Sequence, residues 1–130
     1  MRKIEAEMLR HIYVFTHYGY AGTEHSKFSN TEVRHTGAYK ASVLLHGHEI
    51  ARVTQEPSQP KTVEINLCGW NTPTTRSRLS AILREYIPGC NGVGTKQGQA
   101  FVVYGPSGHK YPVDSEGWNI CTMNGVRDNK

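Results

Sequence analysis

Two histidines separated by one glycine, His46-Gly47-His48, are the residues whose types and spacing most directly suggest chemistry. Side chains two apart on a strand point to one side, so this pair could chelate a metal ion. The geometry is lost if Gly47 forms a turn, and a third ligand would have to come from His35, Glu49 or His109. Cys68 or Cys90 could make a nucleophile with one of the seven histidines, yet neither lies in a G-x-S-x-G or cysteine-protease signature. Cys68 directly follows a strand pattern and reads as a small buried apolar residue. The eleven Asp and Glu residues are scattered with no pair on an evident shared face, which argues against glycosidase-type acid and base work. No P-loop or dinucleotide-binding glycine fingerprint occurs, and Gly92-Val93-Gly94 alone means loop. The expectation is a non-enzymatic protein with no catalytic residue, no bound metal and no cofactor.

Binding is the other use of such residues. If Leu79, Ile82, Leu83 and Tyr86 face inward on a helix, Arg76 and Arg78 fall on opposite borders of the apolar stripe, about 160° apart at 100° per residue. They do not cluster. Arg76, Ser80 and Arg84 do line one edge, and with the free N–H groups of the first turn they could hold a phosphate or carboxylate. The alternative is a solvated edge whose arginine stems cover the core margin. Arg34, Lys40 and Arg52, with Lys96 and Lys110 on later loops, could extend a positive face. Trp70 is expected to cover the junction between strand and helix; left exposed, it would be an interface anchor instead. Three stretches are candidate contact surfaces: the His46/His48 tip, Trp70 to Arg78, and a last hairpin carrying Tyr104, His109 and Lys110.

The elements that must position these residues are organised around Val63–Pro88. Val63, Ile65 and Leu67 alternate with Glu64 and Asn66, the period of a half-buried strand. Thr72 has N-cap chemistry, Pro73 suits the first helical position, and Pro88-Gly89 ends the helix. Upstream, Ile4, Met8, Ile12 and Phe15 share a helical face over residues 3 to about 16, although the β-branched and aromatic run 12–16 keeps a strand open for that half. Residues 17–30 read as a loop pinned by Tyr18, Tyr20 and Phe28. Strands are expected at 31–35, 40–45 and 49–53, with His46-Gly47 as hairpin tip. A two-residue tip would place Val43 opposite Ile50 and Ala41 opposite Arg52. The polar stretch 56–60 then leaves the sheet before the strand 62–67 returns. Residues 89–98 read as an exposed glycine-rich loop, and 99–104 with 109–113 as a hairpin whose Pro112 confines it to an edge. Trp118 and Ile120 are expected to close the core before a frayed tail over 124–130. The sum is one α+β domain over residues 1–130: N-terminal helix, three-stranded antiparallel meander, central helix, C-terminal β-hairpin.

The chain has 130 residues, 37% hydrophobic and 20% charged, with a net charge of +4. That length buries a core without disulfides. The three cysteines are odd in number and lack any C-x-x-C pair, so neither a disulfide framework nor a zinc cage is indicated and a reducing cytoplasm is the natural setting. No apolar run approaches a membrane span, and the acid-interleaved N-terminus is not a secretory signal, so no membrane partner is expected. The mild basic excess permits nucleic acid or an acidic protein surface as a partner.

Phe28-Ser-Asn-Thr-Glu-Val33, Val43-Leu-Leu-His-Gly-His-Glu-Ile-Ala51 and Cys68-Gly-Trp-Asn-Thr-Pro-Thr-Thr-Arg-Ser-Arg-Leu-Ser-Ala-Ile-Leu83, in that order, resemble a family of small proteins encoded by tailed bacteriophages. The resemblance covers about residues 1–87 and carries no catalytic residues with it. It implies an accessory factor made in the cytoplasm of the infected bacterial host. Such a factor binds a host protein or ribonucleoprotein complex and inhibits or redirects it, as an anti-defence protein of the anti-CRISPR type does. Two other readings stay open. The order helix, three strands, helix matches a double-stranded-RNA-binding domain in outline, with Arg76 and Arg78 at the helix start. A small metal-dependent hydrolase would use His46, His48 and a cysteine.

Overall fold

The computed structural model describes residues 2–20 and 22–128. Helix α1 spans Lys3–Thr16. Met8, Ile12 and Phe15 are buried along it, so the helical period carries through 12–16 and burial overrides the local β preference. Thr16 Oγ1 donates to the Ile12 carbonyl at 2.7 Å and closes the last turn.

The segment read as a loop over 17–30 contains a strand, β1 (His25–Phe28), paired antiparallel with β2 (Thr31–Gly37), Ser26 opposite Val33. Its residues are exposed or half-buried in alternation, so no apolar period marks it. Main-chain pairing holds it, and just before it Glu24 Oε2 meets His35 Nδ1 at 2.7 Å. Phe28 stacks on His11 with 5.4 Å between centroids and Tyr18 is half-buried, while Tyr20 stays 52% exposed.

β3 (Lys40–Leu45) and β4 (His48–Thr54) form the expected hairpin around His46-Gly47. The tip has two residues, both at positive φ, 51° and 82°, the backbone that matches the twist of antiparallel strands. The expected register is displaced: Val43 lies opposite Ala51, and Ala41 opposite Val53. A bulge between Val43 and Leu44 leaves Ile50 as the extra residue, which is how Ile50 and Ala51 are both buried.

β5 (Thr62–Ile65) follows, then α2 (Pro73–Tyr86), β6 (Cys90–Lys96), β7 (Gln99–Tyr104), β8 (His109–Pro112), β9 (Asn119–Thr122) and β10 (Gly125–Asp128). The expected meander is the middle of a seven-stranded sheet, ordered β1-β2-β3-β4-β5-β9-β10. The last hairpin gains β6 to make a three-stranded sheet, β6-β7-β8, with Pro112 on its edge as expected. All pairings are antiparallel, and the fold is α+β.

Residues 90–96 are thus strand, not exposed loop. Gly92, at φ 119°, sits so close to α2 that an added Cβ would stand 2.7 Å from Ser80 Oγ. Its glycine serves packing. Residues 125–128, expected in the frayed tail, form β10 on β9; Asn129 and Lys130 lie outside the described residues. Trp118 and Ile120 are half-buried and do not close the core. In the β9 register Cys121 points inward opposite Val63 and is fully buried, while Ile120 sits opposite Glu64.

Both helices lie on one face of the large sheet, α1 against β2–β4 and α2 against β4, β5, α1 and β6. Val33, Val43, Val53, Val63 and Ile65 meet Met8, Ile12, Leu79, Ile82 and Leu83 in one core. Each such side chain contributes about 1.5–3 kcal/mol by leaving water. Among the described residues no helix is long and apolar enough to cross a membrane.

Candidate functional site

Two short turns and a helix start build a concavity on this chain. The first turn is His46-Gly47. The second is Cys68-Gly69, with φ of 57° and 76°, closed by Trp70 N–H donating to the Leu67 carbonyl at 2.9 Å. Asn66 Oδ1 accepts from Cys68 N–H at 2.8 Å, and Gly69 N–H donates to the Ser115 carbonyl at 2.6 Å. A left-handed pair is thus pinned from both sides. Three residues later the N-cap expected at Thr72 is in place: its Oγ1 accepts from Thr75 N–H at 3.2 Å, with Pro73 following in the first turn.

Between these features lies an open groove of about 240 Å³. Leu45, Ile50 and Leu67, all buried, form its apolar floor, and His46, His48, Trp70, Thr72, Thr74 and Thr75 also line it. Ile50 reaches it because of the β4 bulge. The His48 and Trp70 rings are 5.7 Å apart and tilted by 38°. Trp70 is 53% exposed, so it does not cover the strand–helix junction: the Cys68-Gly69 turn swings it outward, and Leu67 fills that place. Three candidates from the sequence, His46, His48 and Trp70, are therefore brought together. The floor and the threonines were not singled out; the repeated X-Gly turn, ahead of β4 and ahead of α2, was the available signal.

Cys68 also lines the groove, only half-buried. Burial, and then the Glu49 charge, pushes its thiol above the ordinary range, and Sγ donates to the Glu49 carbonyl at 3.3 Å. It is protonated at neutral pH and a poor nucleophile. Gly47 forms the turn, so the period-two chelate geometry of the histidines is broken, and among the described residues no group of three or more His, Cys, Asp or Glu could hold a metal ion.

The arginines behave differently from their wheel positions. Arg78, expected at the border of the stripe, is 3% exposed. Its Nη1 donates to Glu5 Oε2 at 2.8 Å and its Nε to Thr31 Oγ1 at 3.2 Å, and Ser77 Oγ also donates to Glu5. It is a buried strut between helices, unavailable to a partner. Along the Arg76, Ser80, Arg84 edge the polar groups bond to β6 and the α2 entry loop, while Arg84 stays exposed. Arg76 Nη1 donates to Asn71 Oδ1 at 2.7 Å, Ser80 Oγ accepts from Val93 N–H at 2.9 Å, and Arg84 Nε donates to the Asn91 carbonyl at 2.7 Å.

On the expected positive sheet face the two arginines are paired with glutamates, while Lys40 is exposed. Arg34 Nε lies 2.8 Å from Glu32, and Arg52 lies 2.9 Å from Glu49 and 3.8 Å from Glu64, while stacking 3.8 Å over Trp118. Carboxylates that looked scattered thus share one sheet face, each beside an arginine. On the smaller sheet, Tyr104 is buried and donates from its hydroxyl to the Thr122 carbonyl at 2.7 Å, and burial raises that hydroxyl's pKa. It ties the two sheets together. His109 and Lys110 are exposed, His109 against Tyr111 and Lys110 4.9 Å from the Phe101 ring. Lys96 is exposed beside the β6–β7 turn, which Asn71 Nδ2 binds through Thr95 Oγ1 and the Gly98 carbonyl, at 2.9 and 3.3 Å.

No curated protein and no solved structure matches this chain. The family model described as Kyanoviridae Gp96 protein matches residues 1–121, which include the groove and all of the larger sheet except β10 and the last residue of β9, and the chain belongs to that phage protein family.

Proposed function

We propose that this chain is a non-enzymatic phage accessory protein that binds a host protein or ribonucleoprotein machine through the Trp70 groove and inhibits or redirects it in the cytoplasm of the infected bacterium. An anti-defence role, of the kind that blocks CRISPR effectors, is the form of that activity we put forward. The observation that carries the reading is a tryptophan 53% exposed on the rim of an apolar-floored groove. Large rigid aromatics beside a pocket dominate the energetics of protein interfaces. The protonated Cys68 thiol beside the groove supports binding over nucleophilic chemistry. Membership of a phage family supports a host-directed role. A nucleic-acid module would call for cations available on one face, whereas Arg76, Arg78 and Arg84 bond within the chain and Arg34 and Arg52 sit beside glutamates.

The test uses the full chain as bait in lysate of the bacterial host, with Trp70→Ala as its pair. A stoichiometric protein partner is expected, captured about tenfold or more less well by Trp70→Ala, and its activity should fall when purified wild-type chain is added. Equal capture by both baits, or capture of nucleic acid alone with a steep loss in salt, would reject the reading.

A further inference from the structure

The triplet Asn-Gly-Val occurs twice, as Asn91-Gly92-Val93 and as Asn124-Gly125-Val126, and no other asparagine is followed by glycine. We propose that Asn124 is a site of spontaneous deamidation in the folded protein and that the fold shields Asn91. The chemistry needs no enzyme, and no electron changes hands. The backbone nitrogen of the following residue gives its proton to water and attacks the side-chain Cγ. The new N–Cγ bond forms as Cγ–Nδ2 breaks, and Nδ2 takes up a proton and leaves as ammonia. One water then opens the cyclic imide, at Cγ to give aspartate or at the main-chain carbonyl to give isoaspartate. A following glycine favours the step, because without a Cβ its nitrogen is open to approach and its backbone turns freely.

Local sequence is the same at both sites, so the surroundings must separate them. Exposure does not, since both asparagines are exposed. What differs is how far the backbone can turn. Asn91 is the extra residue of a bulge between Cys90 and Gly92. Its carbonyl accepts from Arg84 Nε at 2.7 Å, Val93 N–H donates to Ser80 Oγ at 2.9 Å, and an added Cβ on the buried Gly92 would stand 2.7 Å from that oxygen. Ring closure at Asn91 must therefore peel β6 from α2. Asn124 sits in the two-residue tip of the β9–β10 hairpin, beside Met123, which is 61% exposed. Its N–H donates to Thr122 Oγ1 at 3.2 Å, within the turn, and what must yield is the contact of Gly125 with the Tyr111 ring. β10 is an end strand of the large sheet, so opening there disturbs few neighbours. Either product adds a negative charge to a chain at +4. Isoaspartate also adds a methylene to the main chain of the tip, which loosens β10 on β9.

The test holds the purified full chain in mildly alkaline buffer, folded and in urea, and follows the two Asn-Gly peptides by mass spectrometry with isoaspartate detection. In the folded chain Asn124 should convert about tenfold or more faster than Asn91, the difference between a fraying tip and a packed strand. In urea the two rates should converge, because the triplets are identical. Asn124→Ser should remove most of the acidic form that accumulates on ion exchange. Equal rates in the folded chain, faster conversion at Asn91, a difference that persists in urea, no conversion at Asn124, or an acidic form that Asn124→Ser does not reduce would each overturn the proposal.

Discussion

Arg78 and Trp70 show how one helix start assigns opposite work to two large side chains. Arg78 is enclosed, and its charge is matched by Glu5 with Ser77 and Thr31 completing the hydrogen bonds. Removing one member of such a pair leaves an uncompensated buried charge, which costs about 3–5 kcal/mol. Arg78→Ala should lower stability by that amount in urea unfolding, while Glu5→Leu with Arg78→Met should recover most of it. Trp70 is mostly in water, so Trp70→Ala should change stability by less than about 0.5 kcal/mol in the same measurement while weakening partner capture. A large stability loss for Trp70→Ala would mean that its ring supports the fold.

At the scale of elements, the outer face of the large sheet is a lattice of alternating charge, and its response to acid follows from Glu49. Burial pushes the Glu49 carboxyl up, but hydrogen bonds from Arg52 and Ser42, with the charges of Arg52 and Arg34, outweigh this and hold it below the usual range. A depressed folded-state pKa stabilises fully above the unfolded value, about 4.3 for Glu, and that contribution disappears as pH falls from there through the folded value. Wild type should therefore lose stability below about pH 4.3 more steeply than Glu49→Gln, which should be the weaker protein at pH 7. Parallel pH curves in chemical unfolding would show that the pair contributes nothing. The serine and arginine edge of α2 works in the same structural sense, since Ser80 and Arg84 fasten β6 to the helix.

Over the whole molecule, the C-terminal hairpin completes the sheet. β9 pairs with β5, Cys121 enters the core against Val63, and Tyr104 reaches from the smaller sheet to the Thr122 carbonyl. A chain ending at Gly117 would expose the β5 edge and the buried side chains behind it, and bare apolar edges favour aggregation. We expect that truncation to lose cooperative thermal unfolding or to aggregate. A soluble, cooperatively folded 1–117 fragment would place the hairpin outside the stability core.

Elements carrying their own local signal were legible. The α2 period, the Thr72-Pro73 cap, the His46-Gly47 turn and the Gln99–Pro112 hairpin follow from residues near one another in the chain, where sterics and periodicity act directly. β1, β6 and β10 were not, because edge pairing, a glycine pressed on Ser80 and a hairpin closing a distant strand leave no apolar alternation. The site divided the same way. Sequence alone singled out His46, His48 and Trp70, and the phage resemblance supplied the context. Only tertiary structure could join them across the β4 bulge, expose Trp70, and send Arg78 inward to Glu5, 73 residues earlier. Burial and charge pairing are decided by what lies opposite in space, and no local spacing encodes that.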